Sequence, residues 1–231
     1  AAAAAAADGD DATGVVGVAW HPTRATCAAS VGRRVFVLDG ITGAVVLSTR
    51  LPIPSLAIAY SPASLGARLV VLLCDGSLHT VDTESARGAL RSLHPPTVNV
   101  KKRGLAPSTR RGLIAFSGSA MVPWAVFAVG GDVNLYAASL KLPGVNITPG
   151  GKAPPPLLKI KGEHHKPLAC LAGHPDSSLV VAGYADGAVK AYDLVTQTVR
   201  TTFKLPPAVG DKKGAAPPPL TSLAVLKSFE S

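Results

Sequence analysis

Apolar positions in this chain come in short runs cut by turn-forming residues, and the runs are continuous or alternating rather than spaced at a helical period. The clearest stretch is His164 to Leu205. It opens on His164-His165-Lys166-Pro167, passes through Leu168–Gly173, and breaks at His174-Pro175-Asp176. A second run, Leu179–Tyr184, closes at Asp186-Gly187. A third, Ala188–Leu194, contains Tyr192-Asp193 and ends at Thr196-Gln197-Thr198, and a fourth, Val199–Leu205, alternates apolar and polar side chains. Four short β segments with Asp-Gly in one connection predict an antiparallel sheet, because Gly accepts the positive φ of a tight turn.

The same order recurs upstream. Val15 to Arg50 begins with a strand in which Val16, Val18 and Trp20 share one face and which ends at His21-Pro22. Ala25–Val31, a turn at Gly32-Arg33, Val35–Asp39, a turn at Gly40–Gly43 and Ala44–Thr49 follow. Next, Leu56–Tyr60 ends at Ser61-Pro62, Leu69–Cys74 is apolar enough to be buried on both faces, and Asp75-Gly76 turns into Leu78–Asp82. From strand-ending proline to closing aspartate the spacing is 17 (22 to 39), 20 (62 to 82) and 18 (175 to 193). Repetition at that interval marks a repeat protein, and four strands per repeat predict an all-β propeller.

A third unit keeps the order less well. Leu105-Ala106-Pro107 stands where the strand-ending proline belongs, Leu113–Phe116, Trp124–Val129 and Val133–Tyr136 supply strands, and Ala137 takes the aspartate position. The units are therefore placed at about 14–50, 51–95, 100–140 and 163–205, with a fifth beginning at 220–231 around Leu220–Leu226. Gly- and Pro-rich composition makes 141–162 and 206–219 flexible loops, and the alanine-rich, acidic residues 1–13 a disordered tail. Blades cover one another's faces, so four and a first strand predict an incomplete ring with an open flank. Together with the absence of an initiating Met, this makes the sequence read as part of a longer protein.

Charge and composition narrow the function classes. The 23 Lys and Arg exceed the 14 Asp and Glu, for a net charge of +9, and the excess lies between the apolar runs. Basic loops on an apolar scaffold suit acidic partners or an anionic lipid surface. Lys101, Lys102, Arg103, Arg110 and Arg111 are the candidate contacts. Aromatic residues make up only 5% and do not interleave with the basic loops, so nucleic acid is not expected as a partner. The uncharged stretch Leu113–Gly131 is broken by Ser117-Gly118-Ser119, Pro123 and Gly130-Gly131, which predicts paired strands rather than a membrane span. Cys27, Cys74 and Cys170 lie far apart in apolar runs and read as buried thiols, not as a zinc or disulfide framework.

No spacing in the sequence matches a nucleophile elbow, a kinase set or a phosphate cradle. His164-His165 lacks a nearby Cys or carboxylate to complete a metal site. His21, His174, Asp39, Asp82, Asp186 and Asp193 recur with the repeat, which assigns them to turns. No catalytic residue, metal or cofactor is expected, and the reading is of a non-enzymatic protein.

The motif order, with His-Pro or Ser-Pro after the first strand, Asp-Gly in the hairpin and a closing aspartate, resembles the WD40 family. In place of the Trp of its Trp-Asp dipeptide stand Leu38, Val81, Tyr136 and Tyr192. A narrower resemblance runs from about Val15 to Leu226. Ala19-Trp20-His21-Pro22, Asp39-Gly40-Ile41-Thr42-Gly43, Tyr60-Ser61-Pro62-Ala63-Ser64, Lys166–Cys170, Tyr184-Ala185-Asp186-Gly187 and Lys190-Ala191-Tyr192-Asp193 are similar to the first propeller of the TWD40 subunits of the TSET/TPLATE adaptor-like complex. That resemblance implies a seven-bladed ring and a scaffold in clathrin-linked vesicle trafficking. It further implies protein subunits as partners, with a cytoplasmic location and a peripheral place at the plasma membrane. The other reading is a WD40 adaptor of a different assembly, a ubiquitin-ligase substrate receptor or a nuclear RNA-processing scaffold.

Overall fold

Short aliphatic runs bounded by Gly, Pro and Asp cannot complete helical turns of useful length, and in this chain they form strands. The structure is a computed structural model that describes residues 15–85, 88–94, 112–119, 122–129, 134–140, 158–160 and 166–204. The first four strands are β1 (Val15–Trp20), β2 (Thr26–Val31), β3 (Arg34–Asp39) and β4 (Val45–Arg50). Then come β5 (Ser55–Tyr60), β6 (Leu69–Leu73), β7 (Leu78–Val81) and β8 (Leu90–His94). The third set is β9 (Gly112–Ser119), β10 (Val122–Val129), β11 (Leu135–Ser139) and β12 (Leu158–Ile160). The last is β13 (Leu168–Gly173), β14 (Leu179–Tyr184), β15 (Ala188–Asp193) and β16 (Thr198–Lys204). Each set makes one four-stranded sheet with its strands in chain order, and the recorded strand pairs are antiparallel. The fold is all-β, and no α-helix occurs among the described residues.

The Asp-Gly hairpins work as their chemistry requires. Gly76 and Gly187 sit at φ 75° and 78°, and their N–H groups donate to Leu73 O at 2.9 Å and Tyr184 O at 3.0 Å. A side chain at either position would strain the turn.

The chain divides between Ile114 and Ala115 into two units. In the first, one face of the first sheet (Ala28, Val35, Val37, Leu47) meets one face of the second (Ile58, Tyr60, Leu69, Val71, Leu73, Val81). Strands β1 and β2 lie against β5, so closely that a Cβ on Gly17 would come within 2.8 Å of Ile58 Cγ2. All five residues of β6 are buried, so both faces of that strand are covered, as its unbroken apolar run predicts. Buried side chains of this size contribute roughly 1.5–3 kcal/mol each. Hydrogen bonds also bridge the sheets: Ser55 N–H donates to Gly32 O at 3.0 Å, and the Thr49 hydroxyl to Gly88 O at 3.1 Å.

In the second unit β10 lies against β13, and Phe127 stacks on Tyr136 with ring centroids 5.7 Å apart. The Ser117 hydroxyl sits 2.7 Å from Ser177 O and 3.0 Å from Leu179 O, while Gly118 N–H donates to Ser177 O at 2.7 Å. Tyr184 and Tyr192 are fully buried, and their hydroxyls are hydrogen-bonded to each other.

The third sheet departs from the sequence reading. Its edge strand is β9, over the run Leu113–Phe116, followed by β10 and β11 over the other two runs. The fourth strand is then β12, Leu158–Ile160, inside the stretch read as a loop. Leu135 pairs with Ile160, which is 4% exposed, so three residues suffice to cover the edge of β11. Their short pattern is hidden by the adjoining Pro154-Pro155-Pro156. Ala137 is not a turn position: it pairs with Val126 and Leu158 in mid-strand and is fully buried, where a carboxylate would be stranded. Leu105–Pro107, His164-His165, Pro206–Pro219 and Leu220–Leu226 lie outside the described residues.

Candidate functional site

Three recurrent polar side chains close the turn after a first strand. His21 is buried, and its Nδ1 accepts from the N–H groups of Thr23 at 3.2 Å and Arg24 at 3.0 Å. Pro22 follows it in the turn, and the His21 N–H donates to Thr26 O at 2.9 Å. Ser61 does the same work with a hydroxyl: its Oγ accepts from Arg68 N–H at 2.8 Å, ahead of a short 3₁₀ turn that begins after Pro62. His174, before Pro175, accepts from Asp176 N–H at 3.2 Å through Nδ1. The common requirement is an acceptor that satisfies amides left over where the chain reverses.

A second device recurs between third and fourth strands. Asp39 Oδ1 accepts from Ile41 N–H, Thr42 N–H and the Thr42 hydroxyl at 3.0, 2.7 and 2.9 Å. Asp82 Oδ1 accepts from Glu84 N–H at 3.0 Å and Ser85 N–H at 3.2 Å. Asp193 Oδ1 takes Val195 N–H at 2.9 Å and the Ser178 hydroxyl at 2.9 Å, while Oδ2 takes Arg200 Nε at 3.1 Å and Nη2 at 2.6 Å. These bonds favour the charged form. Thr42 holds the Asp39 carboxyl below the usual range, the Glu84 amide does so for Asp82, and the Arg200 guanidinium pulls Asp193 down furthest. In the hairpins, Asp75 accepts from Ser77 N–H at 2.9 Å and Asp186 from Ala188 N–H at 3.2 Å, each beside its glycine.

At one end of the first unit these turns meet. The His21 ring stands edge-on to the Tyr60 ring, centroids 4.9 Å apart. Arg24, in the His21 turn, pairs with Glu84, in the Asp82 turn, at 2.6 Å. Nothing in the sequence marks Arg24 and Glu84 as partners, since 60 residues separate them (24 to 84).

The outer face of the first sheet carries several exposed apolar side chains. Counted back from the strand-ending proline, Trp20, Val18 and Val16 occupy the places of Tyr60, Ile58 and Leu56. The latter three are 9%, 9% and 6% exposed, Tyr60 and Ile58 under the first sheet and Leu56 against Gly112 of β9, whereas Trp20, Val18 and Val16 are 63%, 58% and 39% exposed. Across the strands the register continues that face through Cys27 and Leu38, and through Ala29 and Phe36, all half-buried.

No protein-family model matches the chain, and comparison with curated proteins returns no match. The candidate anionic-surface residues Lys101, Lys102, Arg103, Arg110 and Arg111 all lie outside the described residues. The described residues include no group of three or more His, Cys, Asp or Glu placed to hold a metal ion, and no helix long and apolar enough to cross a membrane. Cys27, Cys74 and Cys170 are free thiols, with Cys27 half-buried and the other two buried.

Proposed function

We propose that this chain is a propeller-type protein-interaction scaffold, a subunit of an adaptor- or coat-like assembly in clathrin-linked vesicle trafficking. The observation that carries the scaffold reading is the succession of four antiparallel four-stranded sheets, the first two packed face to face. The apolar face with Val16, Val18 and Trp20, edged by Arg34 and Arg50, is the open flank that a neighbouring blade or another protein surface would cover. The recurrent aspartates support the same reading, because their oxygens are engaged by turn amides and side chains. The trafficking role rests on the motif resemblance, and the basic run at Lys101–Arg103 with Arg110 and Arg111 supports contact with anionic lipid.

Proximity labelling in cells tests the assembly. Clathrin machinery among the neighbours supports the reading, and cullin adaptors or nucleolar proteins in its place transfer the scaffold to another assembly. Liposome flotation with and without phosphoinositide tests the lipid contact. Equal recovery from both vesicle types removes it.

A further inference from the structure

We propose that His21 is an acid-sensitive latch on the contact between the first two sheets. The geometry sets the protonation state: two backbone N–H groups, of Thr23 and Arg24, point at Nδ1, with the Thr23 hydroxyl 3.5 Å away. Nδ1 can accept both bonds only when it carries no proton. Adding a proton there turns the acceptor into a donor facing two donors, so the β1–β2 turn must release the ring or open.

The ring contact makes this consequential, while the ion pair that shares the turn is solvent-exposed and adds little. Arg24 is both one of the donors to His21 and the partner of Glu84 in the β7–β8 connection of the second sheet. The ring itself is seated on Tyr60 of β5. Opening the turn therefore loosens the ring contact and the ion pair together. The charged or titratable groups facing the ring are Arg24 from its own turn, Glu84 from the second sheet and Tyr60. Burial of His21 and the Arg24 charge disfavour the imidazolium, Glu84 favours it, and the net direction is below the ordinary histidine value. Burial pushes the Tyr60 phenol up, so it stays neutral throughout. The latch is closed above the ordinary histidine value and opens as pH falls through the lowered one.

Ser61 supplies the control, because the second sheet closes the same turn with a group that does not titrate. The test follows amide exchange over residues 21–26 of the full chain from pH 7.5 to pH 5, corrected for intrinsic rates, with the His21 imidazole followed by NMR. In the native protein, protection should be lost progressively as the pH falls through the lowered histidine value. In His21→Ser it should not change with pH. A native turn equally protected at both ends, or an imidazole titrating at or above about 6.5, overturns the proposal. So does the same acid response in His21→Ser. Should that variant fail to fold, His21→Asn keeps a non-titrating acceptor and is read the same way, and the imidazole titration stands without either.

Discussion

Single residues carry most of this protein's polar chemistry, and they spend it on the backbone. Asp193 is the most heavily engaged, with Val195 N–H, the Ser178 hydroxyl and Arg200 on its two oxygens. Replacing it by Ala leaves a half-buried hydroxyl and turn amides without their acceptor, and should cost about 1–3 kcal/mol. Thermal unfolding of Asp193→Ala at pH 7 measures this; a melting temperature unchanged from the native protein would contradict it. The same carboxyl is held below its unfolded value, so its contribution is present above the ordinary carboxylate range and is lost as pH falls through the lowered one. Asp193→Asn should accordingly flatten the acid limb of the stability profile. These roles were legible, because an aspartate recurring at the same place in a repeat is tied to the repeat's shape. Arg200 was not, since a basic residue at the start of an alternating strand looks like any solvated one.

At the scale of elements, the decisive contacts are between sheets, where space is tight. A Cβ at Gly173 would lie 1.8 Å from Phe116 O, a backbone atom that cannot swing aside, whereas one at Gly17 meets the Ile58 side chain at 2.8 Å. Gly173→Ala should therefore destabilise the protein clearly more than Gly17→Ala, each within the range of about 1–3 kcal/mol or above that overpacking costs. Denaturant midpoints of the two variants decide the order. The two equivalent faces give a second comparison. Ile58→Ala removes a buried side chain and should cost about 2–5 kcal/mol. Val18→Ala, at 58% exposure, should cost well under half of that in the isolated chain. Comparable losses would mean that something covers the outer face. Periodicity showed where strands run in the first, second and fourth sheets and in three runs of the third, yet took the closing strand of the third for a loop. There the turn signals are diluted by Gly and Pro, and the closing strand is three residues long.

For the molecule as a whole, stability is expected to fall under mild acid. His21 and His79 both have lowered values, chiefly from burial. In the unfolded chain both take up protons near pH 6.5, while the folded chain resists, so the unfolded state binds more protons as pH drops. Melting temperature should decline from pH 7 to pH 5, and His21→Ser should recover part of the loss. A flat profile over that range would show that neither histidine is held neutral. The first unit's core is shared by two sheets, which predicts that Val37→Ala and Ile58→Ala are coupled by about 0.5–3 kcal/mol in a double-mutant cycle.

The amino-acid sequence by itself determined the all-β character, the strand order within three of the four sheets, the hairpin glycines and the residues that close the turns. Those follow from local rules: alternation, positive φ, and acceptors placed two or three residues from the amides they satisfy. Only the tertiary structure decided that Leu56, Ile58 and Tyr60 are covered while Val16, Val18 and Trp20 face outward, for the two strands have the same pattern and differ only in what lies against them. It also brought Arg24 to Glu84 and His21 to Tyr60, because side chains far apart in the chain meet only once the sheets have packed.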